Sequence, residues 1–160
     1  WASSYITIRK GLPDDVGALG TTFLFLGMTV GRFASGFISD RLGDKRMMHI
    51  GQALIAAGSL ALFLLSGRGA VLAAMAILGF GCAPVFPCFI HYVPQVFGIG
   101  DTGSAVSLLM GSSQLATLLM PIAFGWIADL GGMGFYPFFQ IFFAAAMMAA
   151  LVYQRKHATA

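Results

Sequence analysis

The chain has 160 residues, of which 58% are hydrophobic and 9% are charged. Its mean hydropathy of +0.85 lies far above that of a soluble domain, so we predict an integral, multi-pass membrane protein. The net charge of +3 comes from basic residues scattered between apolar runs, and this scatter argues against a phosphate-binding surface and against nucleic acid as a partner.

The chain opens with a short apolar stretch, residues 1–8, that resembles the last two turns of a membrane helix. No basic and apolar leader is present, so we interpret Trp1 as a point inside a longer protein. Five longer apolar runs follow, and each can cross a hydrocarbon core about 30 Å thick as a helix. We predict an all-α bundle of transmembrane helices, with spans at residues 17–38, 47–66, 70–93, 102–128 and 135–153.

The first span carries one cation within its apolar run, Arg32, about 9 Å from the end of the span by helical rise. Helical side chains lean toward the N-terminus of their helix, so we expect Arg32 to point into the membrane. Two interpretations stay open: a residue of a substrate path or gate, or an arginine held by carbonyl groups or by another part of the protein. In the same span Gly27, Gly31 and Ser35 form a small-residue stripe that favours close helix packing.

The end of the first span and the link to the second carry a group of charged and turn-forming residues, namely Gly36, Asp40, Arg41, Gly43, Lys45 and Arg46. A carboxylate at a helix end is stabilised by a cation or by a neighbouring helix N-terminus, and a glycine permits a sharp reversal of the chain. We interpret the group as a conformational latch, with close helix packing at Gly36. The alternative is that these charges only mark the membrane interface.

Lysine and arginine residues are distributed unevenly over alternate links. Five of them, including those of the first link and of the C-terminal tail, fall on one side of the membrane, and three fall on the other. The positive-inside rule therefore predicts that the Asp40–Arg46 loop and the C-terminus are cytoplasmic. We expect the protein in a bacterial plasma (inner) membrane.

The third span is interrupted by Gly79, Gly81, Pro84 and Pro87. Each proline removes a backbone donor, and broken membrane helices are tolerated where they line a cavity. The interruption therefore indicates either a binding site or a kink for packing. Near the end of the span, His91 is interpreted either as a proton-exchanging group or as a plain interfacial residue.

The two cysteines, Cys82 and Cys88, lie six residues apart in the same apolar run. This spacing fits neither a disulfide framework nor a paired-cysteine metal site, so we interpret both as packing residues. We predict no metal site and no cofactor.

The end of the fourth span repeats the end of the first. Gly36 to Asp40 reads Gly-Phe-Ile-Ser-Asp, and Gly125 to Asp129 reads Gly-Trp-Ile-Ala-Asp. Because the two spans end on opposite sides of the membrane, the repeat predicts two three-helix units of inverted orientation. Residues 1–8 and the first two spans form one unit, and the last three spans form the other.

The pattern Gly36-x-x-x-Asp40-Arg41-x-Gly43-x-Lys45-Arg46 on a predicted cytoplasmic loop resembles the signature loop of the major facilitator superfamily. That family folds as two six-helix halves, each a pair of inverted three-helix repeats. The resemblance implies that residues 1–160 are a C-terminal half that lacks most of its first helix. It also implies that Asp40 docks against the missing N-terminal half. The chain departs from the family at Asp44, where a basic residue is usual, and this would weaken a salt-bridge network there.

The resemblance implies transport of a small solute by alternating access, secondary active or facilitative. The sequence predicts a substrate path from residues of several spans: Trp1, Tyr5, Arg32, Pro84, Pro87, His91, Gln114 and Gln140. Amides with aromatic rings suit a neutral polar solute such as a sugar, although they also join helices. Trp1-x-x-x-Tyr5 and the Gly31-Arg32 pair resemble sugar porters of the fucose permease kind. The chain has no Glu and no Asp within a span, so a coupling proton or ion is left open.

Two other functions were compared with transport. A membrane packing or assembly module would use the glycine stripe without moving a solute. An intramembrane serine hydrolase would use Ser112 or Ser113 with His91, but no Gly-x-Ser-x-Gly motif is present. We therefore predict no catalytic residues and no enzyme.

Overall fold

The computed structural model describes the backbone of residues 1–157 and most of their side chains. The side chains outside this description are those of residues 40, 96, 97, 99, 131, 151, 152 and 154–157. The described backbone is helical almost throughout and forms no strand. Five segments are long and apolar enough to span a membrane. The prediction of an all-α transmembrane bundle is confirmed.

Six helices follow one another along the chain. Their bounds are α1 (Ala2–Ser4, continued by a π turn at Tyr5–Arg9), α2 (Asp14–Leu42), α3 (Asp44–Leu64), α4 (Arg68–Cys82), α5 (Val85–Gly131) and α6 (Tyr136–His157, preceded by a 3-10 turn at Met133–Phe135). Helix α5 is bent at Gly98, and its apolar segment Gly100–Leu130 is called the distal arm here.

Two glycines with positive φ set the reversals at one end of the bundle. Gly43 has a φ of 77° and donates its N–H to the Ser39 carbonyl at 2.9 Å, which ends α2 and begins α3. Gly98, with a φ of 78°, divides α5 into two helices. Side chains other than hydrogen rarely tolerate this conformation, so both turns depend on glycine.

Helix α4 is the centre of the bundle because it packs closely against both α2 and α3. A Cβ atom added to Gly81 would lie 2.8 Å from the Gly51 carbonyl oxygen of α3. On the α2 side, a Cβ atom on Gly31 would lie 2.9 Å from the Phe80 carbonyl oxygen, and Gly27 abuts Ala76. The small-residue stripe of the first span therefore brings backbones together, as such stripes do in membranes.

Helix α6 packs along α3. The contacts run from the His49 and Met148 side chains at one end to the Phe63 and Phe138 rings, 5.0 Å apart, at the other. The largest buried cluster lies beside this pair, where α1 packs against α2, α3 and α4. Its members are Ala2, Tyr5, Ile6, Val16, Leu62, Val71, Ala74, Met75 and Leu78.

The distal arm is mostly uncovered. None of the residues in its most apolar 18-residue stretch is buried. The arm contacts the bundle through the buried side chain of Phe124, which is 1% exposed. The Phe124 ring packs against the rings of Trp1, Tyr136 and Phe139. An apolar helix with this much free surface needs lipid or further protein around it.

The links between spans lie at two ends of the bundle. At the first, called the Lys10 end, Lys10 contacts the end of α3 and Arg68 lies 3.4 Å from Asp15. At the second, called the Asp44 end, the α2–α3 link contacts the start of α5. Alternate links therefore share an end, as a polytopic topology requires.

Candidate functional site

Asp44 joins the α2–α3 link to α5. Gln95 donates a hydrogen bond from Nε2 to Asp44 Oδ2 at 3.3 Å, and His91 Nδ1 lies 3.7 Å from Asp44 Oδ1. The Asp44 side chain is 16% exposed, whereas that of His91 is 69% exposed. Asp44 was expected to weaken a salt-bridge network in this loop, but it has partners within this chain.

Lys45 makes the second contact of the same link. Its ammonium lies 4.9 Å from the centroid of the Tyr92 ring, a distance that gives a cation–π interaction. Tyr92 belongs to a small buried cluster with Met47, Met48 and Cys88. Two successive residues of α3 are thus held by the first part of α5.

The other residues of the predicted latch face away from the bundle. Arg41 and Arg46 are exposed, and a Cβ atom on Gly36 would meet nothing within 4 Å. The close helix packing that we expected at Gly36 is therefore not made by the part of the chain that the structure describes. The side chain of Asp40 lies outside the described residues, so its role as a latch stays a prediction.

Arg32 is exposed on α2. Its Nη2 donates to the Met28 sulfur at 3.8 Å, and a thioether is a weak acceptor. The preceding residue, Gly31, packs on α4, so Arg32 projects from the bundle beside that tight contact. A guanidinium with so weak a partner at membrane depth needs a further partner or water.

An aromatic and amide cluster lies between α1, α3 and α6. Ser59 Oγ donates to Gln140 Oε1 at 3.1 Å, and Gln140 Nε2 donates to the Tyr136 hydroxyl at 2.9 Å. The Tyr136 ring lies 5.5 Å from that of Tyr5, and Trp1 donates from Nε1 to the Pro121 carbonyl at 3.0 Å. We call Trp1, Tyr5, Ser59, Tyr136 and Gln140 the aromatic–amide cluster.

The structure brings three of the predicted path residues into this cluster and places the others apart. Trp1, Tyr5 and Gln140 are its members. Pro84 lies at the turn between α4 and α5, Pro87 lies one turn further along, Gln114 is exposed on the distal arm, and His91 contacts Asp44 at one end of the bundle. The described residues therefore do not form one continuous path.

The interior holds three further polar residues, two of which, Ser59 and Tyr136, were missed from the sequence. Ser59 and Tyr136 belong to the aromatic–amide cluster, and Gln52 is 1% exposed with both amide atoms lacking a hydrogen-bond partner. Gln52 and Ser59 lie seven residues apart on α3, hence on one face, and this spacing was a usable signal. Buried amides are normally paired, so Gln52 is a further candidate for binding a solute or water.

The structure contains two cavities of note. One, of about 280 Å³, lies at the Lys10 end and is lined by Tyr5, Arg9, Lys10, Phe63, Ser66 and Gly134. The other, of about 340 Å³, is apolar and is lined by Ile127, Phe135, Phe138, Phe139, Phe142 and Phe143. Among the residues described, no group of His, Cys, Asp or Glu side chains has a metal-binding arrangement.

Comparison with known proteins gives the family. The family model of the Major Facilitator Superfamily matches residues 4–159, which include all five spans. The chain belongs to the Major Facilitator Superfamily. The family resemblance that the Asp40–Arg46 loop carried is therefore confirmed.

Two curated relatives are similar to the chain. Membrane protein MosC of Rhizobium meliloti is 29% identical over 98% of the chain, and the match covers 38% of that relative. The uncharacterized MFS-type transporter Rv1250 of Mycobacterium tuberculosis is 28% identical over 70% of the chain and 19% of its own length. The chain thus spans less than two-fifths of the length of either relative. No solved structure gives a significant match.

Proposed function

We propose that this chain forms one half of a facilitator-type transporter that moves a small solute by alternating access, in secondary active or facilitative transport. The observation that carries the proposal is the superfamily match over residues 4–159, because it covers every span of the chain. Each relative extends well beyond the matched region, which leaves room for the other half.

The packing of α2, α3 and α4 supports a rocking mechanism. Alternating access by rocking requires that each half move as a rigid body about a site near the midplane. Glycines at both faces of α4, represented by Gly31 against Phe80 and Gly51 against Gly81, place backbones in direct contact. Interfaces of this kind resist sliding, since each backbone carbonyl occupies the space of a missing side chain.

A neutral polar solute such as a sugar suits the aromatic–amide cluster. Gln140 offers an amide beside the rings of Tyr5 and Tyr136, and rings with amides bind the apolar faces and the hydroxyls of such solutes. The chain has no Glu, and its six Asp residues lie outside the centres of the spans. A carboxylate for proton coupling would therefore come from the other half.

The Asp44 end is proposed to be cytoplasmic, in a bacterial inner membrane, because it carries most of the cations outside the spans. Asp40, with Arg41 beside it, would contact the N-terminal half in one conformation and release it in the other. The exposed positions of Gly36, Arg41 and Arg46 support this proposal, since they leave that face free for a partner.

Uptake by proteoliposomes tests the proposal. The full-length protein would be reconstituted, and uptake of radiolabelled L-fucose and D-glucose would be measured for the parent protein and for Asp40→Asn. We expect uptake of at least one sugar, and a fall of about tenfold in the uptake by the variant, as the loss of one charge-assisted hydrogen bond would give.

Asp129→Asn, at the repeated motif on the other side of the membrane, is the matched control and should keep parental uptake. Equal uptake by all three proteins would refute the latch, and no uptake of either sugar would refute the sugar assignment.

A hydrolase has less support than a transporter. Ser112 and Ser113 donate to carbonyls of their own helix, at 2.9 and 2.8 Å. His91 lies before the bend at Gly98, and Ser112 lies about 20 Å beyond that bend by helical rise. A nucleophile and its base need hydrogen-bond distance, which these residues do not have.

A further inference from the structure

Two cavities meet at the Lys10 end of the bundle. The smaller one is lined by Arg9 and Lys10, and the larger one is lined by five phenylalanines and Ile127. They are adjacent because Phe63 of the first and Phe138 of the second have ring centroids 5.0 Å apart. Gly134 and Phe135, one from each lining, are also neighbours in the chain. The result is a polar cavity joined to an apolar groove.

The cations of the polar cavity differ in their partners. Lys10 Nζ donates to the carbonyls of Phe63 and Leu65, both at 2.9 Å, and so satisfies the C-terminal end of α3. Arg9 is exposed, and within the described residues it has neither a hydrogen bond nor an acidic partner. Its Nε lies 3.3 Å from the position of a Cβ atom on Gly134, so the absence of a side chain there leaves room for the guanidinium.

Among the residues that the structure describes, no acidic residue lines the polar cavity. Burial lowers the pKa of the Lys10 ammonium, and the neighbouring charge of Arg9 lowers it further. Two adjacent cations with Ser66 at the same wall form an electropositive site without a counter-charge. Such a site suits an oxyanion, because a guanidinium binds phosphate through paired hydrogen bonds.

The apolar groove extends from this site into the membrane. Its lining runs from Phe135, at the end of the turn before α6, to Phe143 of α6, a separation of eight residues that corresponds to a rise of about 12 Å. Phe138 and Phe142 are 52% and 66% exposed, so the groove opens outward from the bundle. An anionic group at the bundle end and a hydrocarbon chain running toward the midplane are the two parts of a phospholipid.

We propose that this chain binds one anionic phospholipid at the Lys10 end. Arg9 holds the phosphate in the polar cavity, and one acyl chain lies in the phenylalanine groove. The lipid acts as a structural ligand that joins the α1 end to α6 and to the distal arm, whose residue Ile127 lines the groove. This site shares Tyr5 with the aromatic–amide cluster and lies at the opposite end of the bundle from Asp44, and the proposal does not depend on transport.

Native mass spectrometry of the purified full-length protein tests the proposal, with phosphatidylglycerol as the probe. We expect Arg9→Gln to retain about fivefold less lipid, the factor that one basic residue contributes at an anionic lipid surface. Phe142→Ala should lower retention by a similar factor, because it removes apolar contact with the chain. Arg9→Lys should restore most of the retention, since it keeps the charge.

The controls are Arg68→Gln, whose guanidinium already pairs with Asp15, and Phe37→Ala at the other end of the bundle; both should retain as much lipid as the parent. Unchanged retention in either Arg9→Gln or Phe142→Ala would overturn the proposal. Displacement of the lipid by millimolar inorganic phosphate, with no effect of Phe142→Ala, would also overturn it, because the site would then bind a free anion. If Phe142→Ala fails to fold, Phe138→Ala on the same groove provides the same test.

Discussion

Gly81 is the residue at which the packing is most easily tested. A Cβ atom there would lie 2.8 Å from the Gly51 carbonyl oxygen and 2.9 Å from the Ile55 backbone nitrogen, and neither atom can move independently of its helix. Gly81→Val should therefore destabilise the bundle by about 2 kcal/mol, the usual cost of inserting methyl groups into a packed core. The measurement is the melting temperature in detergent.

Gly111 provides the control for that substitution. It also lies within a helix, but a Cβ atom there would meet nothing within 4 Å. Gly111→Val should leave the melting temperature close to the parental value. If the two variants melted alike, the contact between α3 and α4 would not be as tight as the structure shows.

The Asp44–His91 pair predicts a small interaction energy. The two groups lie 3.7 Å apart and the His91 side chain is 69% exposed, so water screens the attraction between them. A double-mutant cycle with Asp44→Asn and His91→Gln should therefore give a coupling of less than about 1 kcal/mol. A coupling of several kcal/mol would contradict the exposed position of His91.

Individual residues of the candidate site were predictable only in part. Trp1, Tyr5 and Gln140 could be selected from the sequence because aromatic and amide side chains are unusual in apolar runs. Tyr136 and Ser59 could not be assigned to the same cluster, since the Ser59–Gln140 hydrogen bond joins residues 81 positions apart. A pairing of that kind depends on how α3 and α6 align, which no local pattern encodes.

At the scale of elements, apolar length determined the five spans, whereas tertiary contacts determined where they end. Helix α3 ends at Leu64, two residues before the predicted end of its span, where Lys10 takes up the final carbonyls. The third predicted span contains a break at Ala83 and Pro84, and prolines in the sequence indicated that interruption. The bend at Gly98 lies in residues 94–101, the link that the sequence placed between the third and fourth spans, although no pattern singled out Gly98 itself as the hinge.

The burial of the distal arm was also not predictable from the sequence. Its composition predicts a membrane helix, but composition does not say which faces of the helix are covered. In the structure Phe124 is buried, whereas Leu108, Leu118 and Trp126 are more than 60% exposed. The arm would therefore gain much of its cover from lipid and, under the proposed function, from the other half of the transporter.

The whole molecule combines a firmly packed body with surfaces left for partners. Helices α2, α3 and α4 meet through glycines, while most of the distal arm and the latch residues Gly36, Arg41 and Arg46 are uncovered in the part of the chain that the structure describes. The proposed role as half of a transporter would account for both features, since such a half must be rigid within itself and must present a surface to its other half. The proposed rocking mechanism therefore requires this chain to move as one body.

Pulsed electron–electron double resonance on the full-length protein tests most directly whether this chain moves as one body. The chain's own cysteines would be replaced, and spin labels would be attached at Arg46 and Gly100 of this chain or at Arg46 and a position in the other half. We predict one narrow distance distribution for the pair within the chain, with and without a transported sugar. The pair across the halves should give two distances whose proportions the sugar changes. A pair within the chain that changes as much as the pair across the halves would contradict the account.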